Sequence, residues 1–346
     1  MGRMPAVVTS GRKGVRVRIS RQALITAVSS VIALAILAGG WFLLTRNSNS
    51  GHQGATGAGR LVSPFTGEPV RSLRRVLIFK IDNVAQARPP TGLTKADIIY
   101  LLPVDGGLSR IMAVFSSRVP PVVGPVRSSR EEDLKLLRQF GRPAFAYAGA
   151  QPALLKVVEH ARIVNLYYGT VGGYFRHNSR VAPYNLYART RRLLTEAKGA
   201  SKARDIGFRF GAAPPGGTVT KVYNVSYPAA SFSFRWSASQ HRWLAWMDGR
   251  PAAAAEGGQL GGRTVVVQYT KVRKSVFREL GVRPPYAETV GSGRAVVLRG
   301  GRAYNVHWSR PRADGGTTFT LPGGQRMLFA RGQVWVVFAY GAGSAH

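Results

Sequence analysis

The run DIIYLLPVDGGLSRIMAVFSS, Asp97–Ser117, sets two strand-like stretches, DIIYLLPV and IMAVFSS, on either side of Asp105-Gly106-Gly107. Upstream, VLIFKID (Val76–Asp82) has the same character, and so has AFAYAGA (Ala144–Ala150) downstream. Helix-like segments follow or intervene: REEDLKLLRQF (Arg130–Phe140), QPALLKVVEHA (Gln151–Ala161) and YARTRRLLTEAKGA (Tyr187–Ala200). Short apolar runs alternating with amphipathic ones predict an α/β or α+β layer domain over residues 61–211.

Beyond GAAPPGGTVT (Gly211–Thr220) the pattern changes. FSFRWS, RWLAWM, TVVVQY, RAVVLR, YNVHW, TTFTL, RMLFA and QVWVVFAY are short, β-branched or aromatic, and separated by DG, GG or PGG turns. Residues 221–342 therefore read as an antiparallel β-rich domain, a sandwich or partly closed barrel. Residues 212–220, with their Pro and Gly content, read as the linker between the two. Trp236, Trp243, Trp246, Trp308 and Trp335 are expected to pack in that β core rather than to form a sugar platform.

Ala23–Leu44 is an uncharged, mainly apolar run long enough to cross a bilayer. Arg3, Arg12, Lys13, Arg16, Arg18 and Arg21 precede it, whereas Arg46 and Arg60 are the nearest cations after it. By the positive-inside rule, residues 1–22 form a basic cytoplasmic tail, 23–44 a single transmembrane anchor, and the main body is extracytoplasmic. A cleaved signal peptide is the competing reading, but the run exceeds a signal core and no cleavage site stands out. Residues 45–60, rich in Gly and Ser, read as a flexible tether.

Across 346 residues, 49 Lys and Arg against 15 Asp and Glu give a formal charge of +34, which favours polyanionic neighbours. On the outer side of a membrane these are anionic wall polymers or lipid-linked precursors, and nucleic acid is not expected. With no cysteine there is no disulfide, thiolate nucleophile or Cys-ligated zinc.

GPVRSSREEDLKLLRQF (Gly124–Phe140) carries Ser128 three residues before Glu131, and Ser129 three before Glu132. This is capping-box spacing at a helix start, where free N–H groups attract anions. Arg127 and Arg130 stand at that start, and with Arg110, Ser128 and Ser129 they make a candidate anion-binding set. Asp82, Asn83 and Asp105 end strands or follow them, and His177 and Asn185 sit in YFRHNSRVAPYNLYART; these five form a candidate polar crevice. Histidine is the side chain there that titrates near neutrality. The structural alternative is that Asp82 caps a turn, Asp105 pairs with Arg110, and Arg130 pairs with Asp133. No G-x-S-x-G, H-E-x-x-H or P-loop occurs, and the histidines are scattered, so no resident cofactor is expected.

KIDNVAQARPPTGLTKADIIYLLPVDGGLSRIMAVFSS (Lys80–Ser117), VGPVRSSR (Val123–Arg130) and VAPYNLYART (Val181–Thr190) resemble the YerB-like family of bacterial cell-envelope lipoproteins. The resemblance continues through WMDGRP (Trp246–Pro251), VGSGRAVVLRGGRAYNVHW (Val290–Trp308) and LPGGQRMLFARGQVWVVF (Leu321–Phe338). It implies a two-part extracytoplasmic protein tethered through a lipidated cysteine. This chain lacks that cysteine, so Ala23–Leu44 is expected to supply the anchor. Where relatives look like YE…EGG, this chain has Leu101 after Tyr100 and Asp105 before Gly106, and Tyr147 stands where a histidine is expected.

These features predict a membrane-anchored binding or accessory factor that recognises an anionic envelope component. One alternative is a metal-assisted phosphoryl-type transferase or hydrolase acting on phosphate-linked wall precursors, with Asp82 and Asp105 on a divalent cation. Another is a scaffold for an envelope protein partner, a membrane synthase.

Overall fold

Leu77–Asp82, Ile98–Pro103 and Ser109–Phe115 are buried along their whole length, on both faces. Strands of that kind need a layer on either side, which is why their sequences run apolar rather than alternating. In a computed structural model, which describes residues 60–279 and 281–341, that requirement is met by a long mixed sheet covered on both faces. The basic tail 1–22, the Ala23–Leu44 segment and almost all of the 45–60 tether lie outside the described residues. Among the described residues no helix is long and apolar enough to cross a membrane.

The N-terminal half contributes β1 (Leu77–Asp82), β2 (Ile98–Pro103), β3 (Ser109–Phe115), β4 (Val122–Val123), α1 (Glu131–Leu137), β5 (Ala144–Tyr147), α2 (Pro152–Glu159), β6 (Val164–Tyr167), β7 (Tyr174–Arg176), β8 (Leu186–Arg189) and α3 (Thr190–Glu196). The remainder is β9 (Thr218–Val219), β10 (Val222–Tyr227), β11 (Ala230–Ser237), β12 (Arg242–Met247), β13 (Arg250–Pro251), β14 (Gly261–Gly262), β15 (Thr264–Thr270), β16 (Val272–Lys274), β17 (Pro285–Ala287), β18 (Gly291–Arg299), β19 (Arg302–Arg310), β20 (Thr318–Thr320) and β21 (Val334–Tyr340). The described chain is thus β-rich with few helices.

The long sheet runs β20-β19-β18-β15-β21-β2-β3-β1-β5-β6, with β9 added beside β19. Its centre corrects the expectation of a purely antiparallel second half. β21 lies parallel to β15 on one side and to β2 on the other, with Ile99 opposite Trp335 and Leu101 opposite Val337. The two sequence halves share one sheet, and residues from Arg60 onward form one compact unit. The join is also a packing join: Tyr100 stacks on Phe338 at 5.9 Å, and the Tyr227 hydroxyl donates to Phe338 O at 2.8 Å.

One face of the sheet carries Leu77, Phe79, Ile81, Val265, Trp335 and Val337; the smaller sheet β10-β11-β12-β13 (with β14 on β12) packs on its β15, β18 and β21 part through residues such as Phe234 and Trp243, and the same core takes in Val123, Leu186, Ala188 and Leu193. That smaller sheet buries alternate residues only, as its period-2 sequence predicts. The other face carries Ile78, Tyr100, Met112 and Val114, covered by Leu136 and Leu137 of α1, Leu154 and Val158 of α2, and Phe208, Phe319 and Phe329. Trp243, Trp308 and Trp335 are buried as expected, whereas Trp236 and Trp246 are half-buried.

Residues 212–220 are not a free linker. Thr218 and Val219 pair with Ala303 and Arg302. Arg299 donates to Gly211 O and Ala212 O, Arg302 to Gly217 O, and Tyr304 to Pro214 O. Pro and Gly set the backbone turns here, but side chains of β18 and β19 satisfy the carbonyls, so the segment is held.

Candidate functional site

Asp82 ends β1, and Arg110 lies opposite it in the β1–β3 register. The strand pairing therefore fixes a carboxylate beside a guanidinium. Arg127 is brought to the same corner because its N–H donates to Lys80 O and its carbonyl accepts from Ala148 N. Arg127 Nε lies 2.8 Å from Asp82 Oδ2, and its side chain keeps 27% of its surface exposed. Asp82 Oδ1 also accepts from Asn83 N at 2.9 Å, closing the turn after β1. Asn83 donates through its side chain to Ser109 Oγ at 2.8 Å.

Arg130 has the opposite fate. Its Nε donates to Asp105 Oδ2 at 3.0 Å, Nη2 contacts both Asp105 and Glu279, the latter at 2.8 Å, and Nη1 donates to Ser129 O. Two carboxylates thus enclose a guanidinium whose side chain is only 4% exposed. Asp105 pairs with Arg130, not with Arg110, because the Asp105–Gly107 turn aims it at the start of α1.

The start of α1 differs from the expected register. Arg130, in extended conformation, occupies the cap position, and Asp133 Oδ2 accepts from Arg130 N at 2.8 Å and from Ser129 Oγ at 3.1 Å. Glu131, expected in the box, instead accepts from Ser275 Oγ, Val276 N and Arg273. Ser128 gives its carbonyl to Arg110 Nη1 at 3.1 Å.

Arg110 is the guanidinium of this group without a carboxylate at ion-pair distance. It is 8% exposed and its Nε is buried without an acceptor. Burial, and next the charge of Arg130, push its pKa down to about 10, against the opposing pull of Asp82. Asp82 thus serves two guanidinium groups, pairing closely with Arg127, which stays partly exposed, and acting on Arg110 only at longer range.

The structure does not bring all the predicted crevice residues together. His177 lies in the β7–β8 hairpin, exposed, with Nδ1 2.8 Å from Ser179 Oγ and its ring against Tyr187. Asn185 pairs with His177 through the backbone and accepts from Arg176 at 2.7 Å. The hairpin is tied to the neighbourhood of the corner by Val126 N donating to Leu186 O and by Arg180 donating to Pro89 O at 2.7 Å, not through His177 or Asn185. Asp82 and Asp105 face different arginines, and among the described residues no three His, Asp or Glu side chains converge as a metal cage would require.

Sequence reasoning missed Lys80. Fully buried in β1, its Nζ lies 2.6 Å from Asp133 and 3.8 Å from Glu132. One ammonium serves two carboxylates, and burial pushes Glu132 up to about 8 even though Lys80 pulls it down. Burial thus favours the protonated form of Glu132, and Asp133 is the close partner of the ammonium. The signal was a single lysine inside the otherwise apolar LIFKI run. Glu279 and Arg88, which also shape the site, carry no comparable signal.

Residues 65–204 match the model of the DUF3048 N-terminal domain, described as a protein of unknown function, and residues 223–336 match its C-terminal domain. Over 105 residues, 30% of this chain, the sequence is 37% identical to "Putative lipoprotein YerB" of Bacillus subtilis (strain 168), a match spanning 31% of that relative's length. A crystal structure of YerB protein from Bacillus subtilis shares the fold over 81% of this chain and 96% of that one, with a TM-score of 0.69 at 20% identity. The two family matches follow one another in order and together take in most of the chain, which belongs to the DUF3048, YerB-like family.

Proposed function

We propose that this protein is a membrane-associated, extracytoplasmic binding or accessory factor, without catalysis of its own, that recognises an anionic envelope component through Arg110 and Arg127. The observation that carries this reading is the buried Arg110 guanidinium, which has an unsatisfied Nε and no carboxylate at ion-pair distance, beside the half-exposed Arg127. A phosphate or carboxylate would supply the missing acceptor, and a buried donor left without one is costly. Arg130 serves a different purpose: saturated by Asp105 and Glu279, it orders the start of α1 and holds Ser128 O toward Arg110. The lipoprotein name of the Bacillus relative supports the location, and the uncharged Ala23–Leu44 run supports a single-pass anchor with a cytoplasmic N-terminus.

The test uses the 60–346 unit, which contains both hydrophobic cores, and a synthetic glycerol-phosphate oligomer as probe, followed by calorimetric titration. Wild type binds with an affinity that falls as salt rises, and Arg110→Met combined with Arg127→Ala weakens it by about tenfold or more. Binding equal to wild type in the double variant overturns the reading. Metal-dependent turnover of a polyprenyl-pyrophosphate substrate, lost in Asp82→Ala, would replace it with the phosphoryl-transfer alternative.

A further inference from the structure

A second feature begins one residue beyond Asp82. Asn83, the residue after Asp82, accepts from Arg88 at its carbonyl (2.6 Å) and at Oδ1 (3.4 Å), and Arg88 Nη1 reaches Asp248 at 2.7 Å. Arg88 and Asp248 both line a groove of about 610 Å³ formed by the loop after β1 and the β12–β13 turn. Its wall is largely hydrocarbon, contributed by Pro89, Pro90, Met247, Pro251 and Leu260. The charged residues along it are Arg88, Asp248 and Arg250, one positive charge in excess.

Resting on the function proposed above, we propose that this groove takes the hydrocarbon chain of an anionic amphiphile, a long-chain lipid phosphate, whose head group lies at the Arg88 end. The volume is that of a small-molecule site, and an apolar wall with a few convergent polar groups is what such a ligand requires. Three prolines on the wall have no N–H to offer, so an extended peptide would find few donors there, whereas a hydrocarbon chain needs none. The one positive charge in excess along the groove selects an anionic head over a neutral one.

Dodecyl phosphate, octyl phosphate, dodecyl maltoside and inorganic phosphate, each below its micellar concentration, are titrated into the 60–346 unit. Each methylene that leaves water contributes up to roughly fourfold in affinity. Dodecyl phosphate is therefore expected to bind at least about tenfold more tightly than octyl phosphate, inorganic phosphate or dodecyl maltoside. This comparison needs no variant. Ala253→Trp, at an exposed position on the groove, fills it; the expectation is a loss of about tenfold or more for dodecyl phosphate with unchanged binding of the glycerol-phosphate oligomer. Equal affinity for dodecyl and inorganic phosphate, or an Ala253→Trp variant that binds dodecyl phosphate normally, overturns the inference. If the oligomer still binds through Arg110 and Arg127, only the lipid assignment falls; if neither probe binds, the functional reading falls with it.

Discussion

Glu132, buried beside Lys80 and Asp133, makes a pH-sensitive point of the core. All three are buried, and only one of the two carboxylates can share the ammonium closely. The folded protein holds the Glu132 proton up to about pH 8, whereas the unfolded chain releases it near the ordinary value of 4.5. Between those limits the folded state binds more protons, so stability falls as pH rises through the window and levels off above it. Glu132→Gln, which removes the titration but keeps the shape, should flatten this decline, by on the order of 3 kcal/mol between pH 5 and 8. Urea midpoints measured at half-unit pH steps check it, and parallel curves for variant and wild type would refute it. Lys80→Met has the opposite character, since it strands the Asp133 charge in an apolar layer; a loss of about 3–5 kcal/mol is expected at pH 7. Arg130 shows how far such pairing extends along the chain: its second carboxylate, Glu279, comes from the other sequence half. Local spacing could place an arginine at the helix start, but it could not say which distant acid would meet it.

Among the elements, the β18–β19 hairpin tests the turn chemistry most directly. Arg299 faces Arg302, so the loop is Gly300-Gly301, with φ of 57° and 74°. Two positive φ values in a two-residue loop match the right-handed twist of the flanking strands and favour glycine. The two glycines nevertheless differ. A Cβ at Gly300 meets nothing within 4 Å, whereas one at Gly301 comes within 3.0 Å of the Trp236 ring. Gly300→Ala should cost about 1 kcal/mol, the backbone conformation alone, and Gly301→Ala should cost more because Trp236 must give way. Equal shifts of the two denaturation midpoints would show that the ring contact carries no weight. This hairpin was legible in RAVVLRGGRAYNVHW because turn residues and period-2 alternation are local properties. β1, β2 and β3 were legible from local properties too, as short and mainly apolar runs. The partners of β21 were not: QVWVVFAY announces a buried strand, but parallel pairing with both β15 and β2 depends on contacts more than sixty residues away in sequence. The restraints on the 212–220 segment were not legible either, since its Pro and Gly are real turn signals while the side chains that hold it are Arg299, Arg302 and Tyr304. Within the candidate site, Asp82 and Arg110 meet at strand ends and Arg127 joins them from the loop before α1, whereas His177 remains in its own hairpin.

At the scale of the whole molecule, the shared sheet has a consequence for folding. The family divides the chain into an N-terminal and a C-terminal domain, yet the boundary falls between segments that complete one another. Residues 60–211 alone would expose the β2 edge where β21 belongs, and would lose from its core Phe338 against Tyr100 and Tyr227 against Leu101 O. Residues 212–346 alone would expose the β21 edge and lose the same core from the other side. Open apolar edges pair nonspecifically, so each fragment expressed alone should aggregate or lack a cooperative transition. Co-expressed, they should recover as a one-to-one complex held by the β2–β21 ladder and the Tyr100–Phe338 stack. A cooperative, concentration-independent unfolding transition for 60–211 alone would show instead that the halves are separate folding units. The intact chain offers a second check, because every described tryptophan lies in the C-terminal half while Lys80 lies in the N-terminal half. If the sheet unfolds as one body, Lys80→Met must move the tryptophan fluorescence midpoint as far as it moves the far-UV signal. Fluorescence left at the wild-type midpoint would separate the halves thermodynamically.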